Sequence, residues 1–306
     1  FQTMIASKAA RSVLVADGKP LIDFGLRRAH GAEAGLFAAR ASYLAGFAGT
    51  ATVLAGMEYD IPIYGTMAHS FVQAHTDETT AFEHFALAQP ENVVLLIDTY
   101  DTEAAAHKVV DLAPRLKQQG IPVKGVRLDS GDLADHARKV RRILDEGGLP
   151  QAHILASGNL DEYQLQRLIA SGAPIDSFAV GTAMTTSADA PSLDCAYKLQ
   201  EYAGRPCRKR SEGKATWPGR KQVYRQYNQD GRFDHDIVTT LDDHQPGEPL
   251  LQPVMTEGRR LAPARTLTEL RQRAVTQLSL LPDSLRSLEG DHPYDVQISQ
   301  SLQDLA

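Results

Sequence analysis

An α/β fold is predicted for roughly the first 190 residues on three observations. Short runs rich in Val, Ile and Leu recur, helical patterns separate them, and polar or glycine residues gather where the runs end. The chain opens with a helical pattern, FQTMIASKAARSVLVA (1–16), that has no capping lead-in and no initiating methionine, which reads as the remainder of a longer chain. Six candidate buried parallel strands follow: PLIDF (20–24), IPIYG (61–65), NVVLLID (92–98), IPVKGVRLD (121–129), AHILAS (152–157) and PIDSFAVG (174–181). Helices are expected over 31–47, 102–120, 133–148 and 160–172, the last three stopped by Gly120, Gly147 and Gly172. From about residue 193 the texture changes. KQVYRQY (221–227) and FDHDIVTT (233–240) read as strands broken by turns, with Asp230-Gly231 as a hairpin signal, and 265–288 returns to helical periodicity. Two units are therefore expected, an α/β unit over 1–192 and a smaller β-rich unit with a helical tail over 193–306.

Composition narrows the function classes. With 306 residues, 42% hydrophobic and 23% charged, the chain can bury a large core. Lys and Arg total 32 against 38 for Asp and Glu, and a net charge of −6 without a long basic run argues against nucleic acid as the partner. No run of about 18 apolar residues is present to span a bilayer. Two cysteines, Cys195 and Cys207, are too few for a disulfide framework, which points to a reducing, cytoplasmic setting.

The informative feature is what stands at the strand ends, where parallel α/β folds bind ligands. In order these are Asp23-Phe24-Gly25-Leu26-Arg27-Arg28; Gly65-Thr66 followed by His69; Asp98-Thr99-Tyr100-Asp101; Arg127-Leu128-Asp129-Ser130-Gly131-Asp132; Ser157-Gly158-Asn159; and Gly181-Thr182. Arg127 and Asp129 are two apart on a strand, so both project to one face. SGD, SGN and VGT bring small residues and N–H groups to helix starts, which suits phosphate. Blander readings exist for each piece: Ser130 as an N-cap, Asn159 with Glu162 as a capping box, Arg27 and Arg28 as an ion-pair hub, His69 as a satisfied buried histidine. Their coincidence at successive strand ends favours a site for a phosphorylated, hydroxyl-bearing, anionic substrate.

FGLRRAHG, GTMAHSFV, LLIDTYDT, VRLDSGDL, SGNLDEY and AVGTAMTT, in that order, with PGRKQVYR and HPY later, resemble the nicotinate phosphoribosyltransferase family over essentially all 306 residues. The resemblance implies an irregular α/β barrel of the type II phosphoribosyltransferase kind with a smaller second unit. It implies synthesis of nicotinate mononucleotide and pyrophosphate from nicotinate and phosphoribosyl pyrophosphate, coupled to ATP hydrolysis, by a homodimer. It further implies that the chain lacks the family's N-terminal segment. By the same resemblance His69 matches the histidine phosphorylated by ATP, and Thr66 and Arg127 match nicotinate contacts, with Arg27 nearby and Phe24 as a stacking surface. Asp129 would take the ribose hydroxyls, Asp98 would join the substrate-binding set, and Ser157, Gly158, Gly181 and Thr182 would hold the 5'-phosphate. No residue is expected to bind metal directly, Mg²⁺ being carried by the pyrophosphate.

Nicotinamide-using relatives carry an acidic residue where Ala51 stands here, and a carboxylate there would repel nicotinate. Quinolinate phosphoribosyltransferase lacks the GTMAHS histidine motif. Two alternatives complete the expectations. One is a non-catalytic, ligand-binding or regulatory remnant; the other is a sugar-phosphate aldolase, whose Schiff-base candidate, Lys124, alternates to the face opposite Arg127.

Overall fold

The computed structural model describes residues 1–289 and 293–306, so His292 of the HPY motif lies outside the described residues. The chain divides into two units, Phe1–Ser192 and Leu193–Ala306.

In the first unit the elements run α1 (Gln2–Val15), β1 (Leu21–Asp23), a 3₁₀ turn (Leu26–Arg28), α2 (Ala32–Ala45), β2 (Gly49–Thr50), α3 (Val53–Tyr59), α4 (His69–Gln73), α5 (Glu78–Ala88) and β3 (Val94–Leu96). They continue with α6 (Thr102–Gln118), β4 (Gly125–Leu128), α7 (Leu133–Glu146), β5 (His153–Ala156), α8 (Glu162–Ala170), β6 (Ser177–Val180) and α9 (Thr182–Thr185). The six strands form one parallel sheet in the order β2-β1-β6-β5-β4-β3. Leu95, Val126, Leu128, Ile154 and Phe178 are fully buried, as expected of parallel strands covered by helices. On α7, Leu133, Ala137, Val140 and Leu144 recur at helical spacing and make its buried stripe. Each large aliphatic side chain so buried contributes roughly 1.5–3 kcal/mol.

Several local expectations need correction. The run at 61–65 is not a full strand: Pro62 has no N–H to give a ladder, and only Ile63 bridges Thr50. Instead, the segment borders the β2 edge of the sheet. Tyr64 N donates to Thr50 O at 3.0 Å on one side, and the Asn92 side chain reaches Gly65 O at 3.2 Å on the other. The two-residue strand β2 escapes the sequence pattern altogether. At the end of α7 it is Gly148, at φ 75°, that takes the left-handed conformation, whereas Gly147 has φ −80°. Gly147 is needed for a different reason: a Cβ there would come within 2.4 Å of Val110. Helix α8 is capped not by Asn159 but by Asp161, which accepts from Gln164 N at 2.8 Å. Likewise Asp132, not Ser130, caps α7.

The second unit contains a four-stranded sheet in the order β11-β9-β10-β14. Its long hairpin joins β9 (Lys221–Tyr227) to β10 (Phe233–Thr240) through the turn at Asn228–Arg232, where Gly231 has φ 74°. Strand β11 (Glu248–Pro249) pairs antiparallel with β9, and β14 (Asp295–Ile298) lies parallel to β10. Among the described residues, two short hairpins, β7 (Glu201–Tyr202) with β8 (Arg205–Pro206) and β12 (Met255–Thr256) with β13 (Arg259–Arg260), and three helices, α10 (Leu267–Ser279), α11 (Asp283–Arg286) and α12 (Gln300–Asp304), complete it. Arg225 holds Asp236 through two hydrogen bonds of 2.9 Å each, and Tyr294 OH donates to the same carboxylate at 3.0 Å. Burial, with that carboxylate's help, pushes the Tyr294 phenol up to about 12.

Candidate active site

Strand alternation carries Arg127 and Asp129 to one side of the sheet, at the carboxyl end of β4. The guanidinium is committed along its whole edge. Its Nε donates to Ser157 Oγ at 2.8 Å, Nη1 to Thr66 Oγ1 at 3.0 Å, and Nη2 to Asp129 Oδ1 at 2.7 Å. Ser157 Oγ also reaches Asp129 Oδ1 at 2.5 Å, closing a triangle. The Phe24 ring centroid lies 5.2 Å from the guanidinium carbon. Burial pushes the Asp129 carboxyl up, but Arg127, with the Ser157 hydroxyl and His69, outweighs it and holds the group below the usual carboxylate range.

His69 is the first residue of α4, and its side chain remains 39% exposed. Its Nδ1 lies 3.1 Å from Thr99 Oγ1, while Nε2 is 3.5 Å from Asp129 Oδ2 and 3.9 Å from Asp98 Oδ1. Asp98 does not line the cleft, contrary to the expectation that it touches substrate. Its side chain is 1% exposed, and Oδ2 accepts from Asp129 N at 3.1 Å and Ser130 Oγ at 2.5 Å. The other oxygen, Oδ1, is buried with no hydrogen-bond partner among the described residues and faces the imidazole. Asp98 thus stands behind the site, holding the Asp129 backbone.

The remaining predicted residues come together in one cleft of about 640 Å³, lined by Phe24, Arg27, Thr66, His69, Arg127, Asp129, Ser157, Gly158, Gly181 and Thr182, with Ala51. Gly158 has no alternative. Its φ is +99°, and a Cβ would stand 1.9 Å from Asp129 O, so only glycine lets the β5 loop pass this close to β4. Arg27 is exposed in the 3₁₀ turn, and among the described residues neither it nor Arg28 makes an ion pair, which removes the hub reading. Ser157 is 3% exposed, its N–H donates to Leu128 O at 2.8 Å, and its hydroxyl is engaged by Arg127 and Asp129. It acts as an anchor for those two groups more than as an open donor. Lys124 donates to Glu91 O, on the far side from the cleft.

Two strand-end residues that the sequence places but gives no partner find one in the fold. Thr99, after β3, meets the His69 imidazole at 3.1 Å. Asp23, at the end of β1, is 1% exposed and accepts from Thr50 Oγ1 at 2.7 Å and Gly25 N at 2.8 Å. Burial pushes its carboxyl up, against those two hydrogen bonds. It ties β1 to β2 beneath Ala51, whose N–H donates to Asp23 O at 2.9 Å.

Two family models match the chain: the nicotinate phosphoribosyltransferase (NAPRTase) family over residues 20–203, and the nicotinate phosphoribosyltransferase C-terminal domain over 244–306. The chain is 48% identical over 304 residues to the nicotinate phosphoribosyltransferase pncB2 of Mycobacterium tuberculosis, covering 99% of this chain and 65% of that protein. To the nicotinate phosphoribosyltransferase of Homo sapiens it is 30% identical, with 100% of this chain and 72% of that one covered. The crystal structure of human nicotinic acid phosphoribosyltransferase superposes at a TM-score of 0.85 and 28% identity, over 99% of this chain and 73% of that chain. This chain therefore spans about two thirds of the length of these relatives. Among the described residues no helix is long and apolar enough to cross a membrane.

Proposed function

This chain belongs to the nicotinate phosphoribosyltransferase family, and from that premise we propose that its cleft joins nicotinate to the phosphoribosyl group of phosphoribosyl pyrophosphate, releasing nicotinate mononucleotide and pyrophosphate with coupled ATP hydrolysis. The observation that carries this reading is the guanidinium of Arg127, fixed by Ser157, Thr66 and Asp129 beside the Phe24 ring. Such a group is preorganised for a flat aromatic carboxylate: the ring stacks on Phe24 and the carboxylate meets cations at Arg127 and Arg27. The neutral Ala51 in the lining supports the acid over the amide.

In the transfer, the bond from C1 of the ribose to the pyrophosphate oxygen breaks as the pyridine nitrogen bonds to C1, through an oxocarbenium-like state. Little covalent work falls to the protein, so positioning and charge compensation supply most of the acceleration. Asp129 Oδ2, the oxygen not taken by Arg127 or Ser157, is suited to the ribose hydroxyls. Gly158, Gly181 and Thr182 border the space proposed for the 5'-phosphate, with Ser157 anchoring the loop.

For His69, the carboxylates of Asp98 and Asp129 on the Nε2 side favour the tautomer protonated there, leaving Nδ1 with its lone pair as the nucleophile towards ATP. The Thr99 hydroxyl would turn aside as the phosphoryl group arrives. Magnesium, when bound with the pyrophosphate, would offset its charge, with no residue of the chain as its direct ligand. Exposed Leu54, Met57, Ile63 and Tyr64 support a homodimer, and two free cysteines support a cytoplasmic setting.

The test is incubation of the chain with nicotinate, phosphoribosyl pyrophosphate and Mg²⁺, with and without ATP, following nicotinate mononucleotide by chromatography. Product formation stimulated by ATP is expected. Absence of product under both conditions would overturn the reading.

A further inference from the structure

Lys8, on α1, is 5% exposed, does not line the cleft, and is bonded to two carboxylates. Its Nζ is 2.9 Å from Glu162 Oε1 and 2.6 Å from Asp189 Oδ1. Arg11, three residues on, adds an outer layer: Nη1 to Asp189 Oδ2 at 2.8 Å, Nη2 to Glu162 Oε1 at 3.1 Å and to Tyr163 OH at 2.7 Å. Glu162 is fully buried, and its second oxygen has no hydrogen-bond partner among the described residues. A buried ion pair is a poor way to gain stability, because apolar residues of similar size serve as well or better, so this one invites another explanation.

The two carboxylates point to it by their places in the chain. Glu162 opens α8, separated from the loop Ser157-Gly158-Asn159 by Leu160 and Asp161; Asp189 lies just beyond α9, which begins at Thr182 after Gly181 and ends at Thr185. These are the two loops proposed above to border the 5'-phosphate. Backbone pairing of β5 with β6 consists of Leu155↔Ser177 and Ala156↔Phe178 and stops before either loop. Beyond it, α1 packs on both α8 and α9, and Lys8 reaches a carboxylate next to each.

We propose that Lys8 is a positioning residue: through Glu162 and Asp189 it fixes the separation of the loops Ser157–Asn159 and Gly181–Thr182, and so sets affinity for the phosphate of the phosphoribosyl donor without touching it. The proposal rests on the function given above. Asp189 fits the role: burial raises its carboxyl, yet Lys8 and Arg11 hold it below the usual range.

Because Lys8→Met alone orphans the buried Glu162, the test uses the full chain carrying Lys8→Met with Glu162→Gln, compared with the parent. The expected result is a KM for phosphoribosyl pyrophosphate raised by about tenfold, with kcat and the KM for nicotinate within about twofold. A purely structural role would instead reduce the active fraction, lowering kcat at unchanged KM, and that result overturns the proposal. Hydrogen exchange at 157–162 and 181–189 is measured alongside: faster exchange in both loops together supports the clamp, and rates equal to the parent's overturn it. That second readout needs no turnover, so a parent chain that fails to make product defeats the function while the clamp is still judged.

Discussion

Arg127 and His69 stand at two corners of the same cleft and are held in opposite ways. Every nitrogen of the Arg127 guanidinium has a partner within 3.0 Å, and its side chain is 13% exposed. His69 has one neighbour at hydrogen-bond distance, two carboxylates at 3.5 and 3.9 Å, and a side chain 39% exposed. The first corner is finished before any ligand arrives, so binding there needs little reorganisation. The second leaves room around the imidazole, as the proposed phosphoryl transfer would require. On that proposed reading, binding and reaction are separated within one site, with Asp129 touching both.

If that contrast is right, the largest effect comes from the loose corner. His69→Ala should abolish ATP hydrolysis while leaving a slow, ATP-independent transfer and a nearly unchanged melting temperature. ATP hydrolysis that survives the substitution would break the assignment. Next in size, Arg127→Ala removes charge-assisted hydrogen bonds worth about 1.5–3 kcal/mol, so nicotinate affinity should fall roughly 10- to 100-fold while ATP binding changes far less. Parallel titrations with the two ligands decide it, and equal losses would contradict a corner dedicated to the acid.

The smallest effect sharpens the picture of Asp129. Its folded-state pKa is lowered, so its contribution to stability is fully present above the unfolded carboxylate value of about 3.9 and is lost as pH falls through the lower, folded-state value. Melting temperatures measured from about pH 6 down to about pH 2 should therefore fall less steeply for Asp129→Asn than for the parent chain. Superimposable acid limbs would show that the Arg127 triangle does not favour the charged form.

Much of this site is readable along the chain because it depends on short-range rules. The period-two alternation of VRLD is enough to put Arg127 and Asp129 on one face, and a parallel α/β pattern is enough to place the loops after β1 and β3 to β6 at one end of the sheet. Where local rules compete, reading fails in identifiable ways. Asn159 with Glu162 has capping-box spacing, but Asp161 lies nearer the helix and Asn159 turns left-handed at φ 52°. IPIYG has the composition of a strand, but Pro62 breaks its ladder, and the two residues Gly49–Thr50 are too few to leave a pattern.

What the sequence determined by itself is the α/β class, the strands β1 and β3 to β6 with their helices, and the set of side chains at the strand ends. Periodicity and turn chemistry act over a few residues, and those are inherited wherever the segment goes. Only the tertiary structure decided that Asp98 sits behind Asp129 instead of in the cleft, that Thr99 meets the imidazole, and that Asp23 lies under Ala51. It alone joined Lys8 to carboxylates 154 and 181 residues away. Such pairings are set by strand order and by which helix packs on which, and the free energy that selects them is a sum over the whole core, with no trace in the spacing of any one motif.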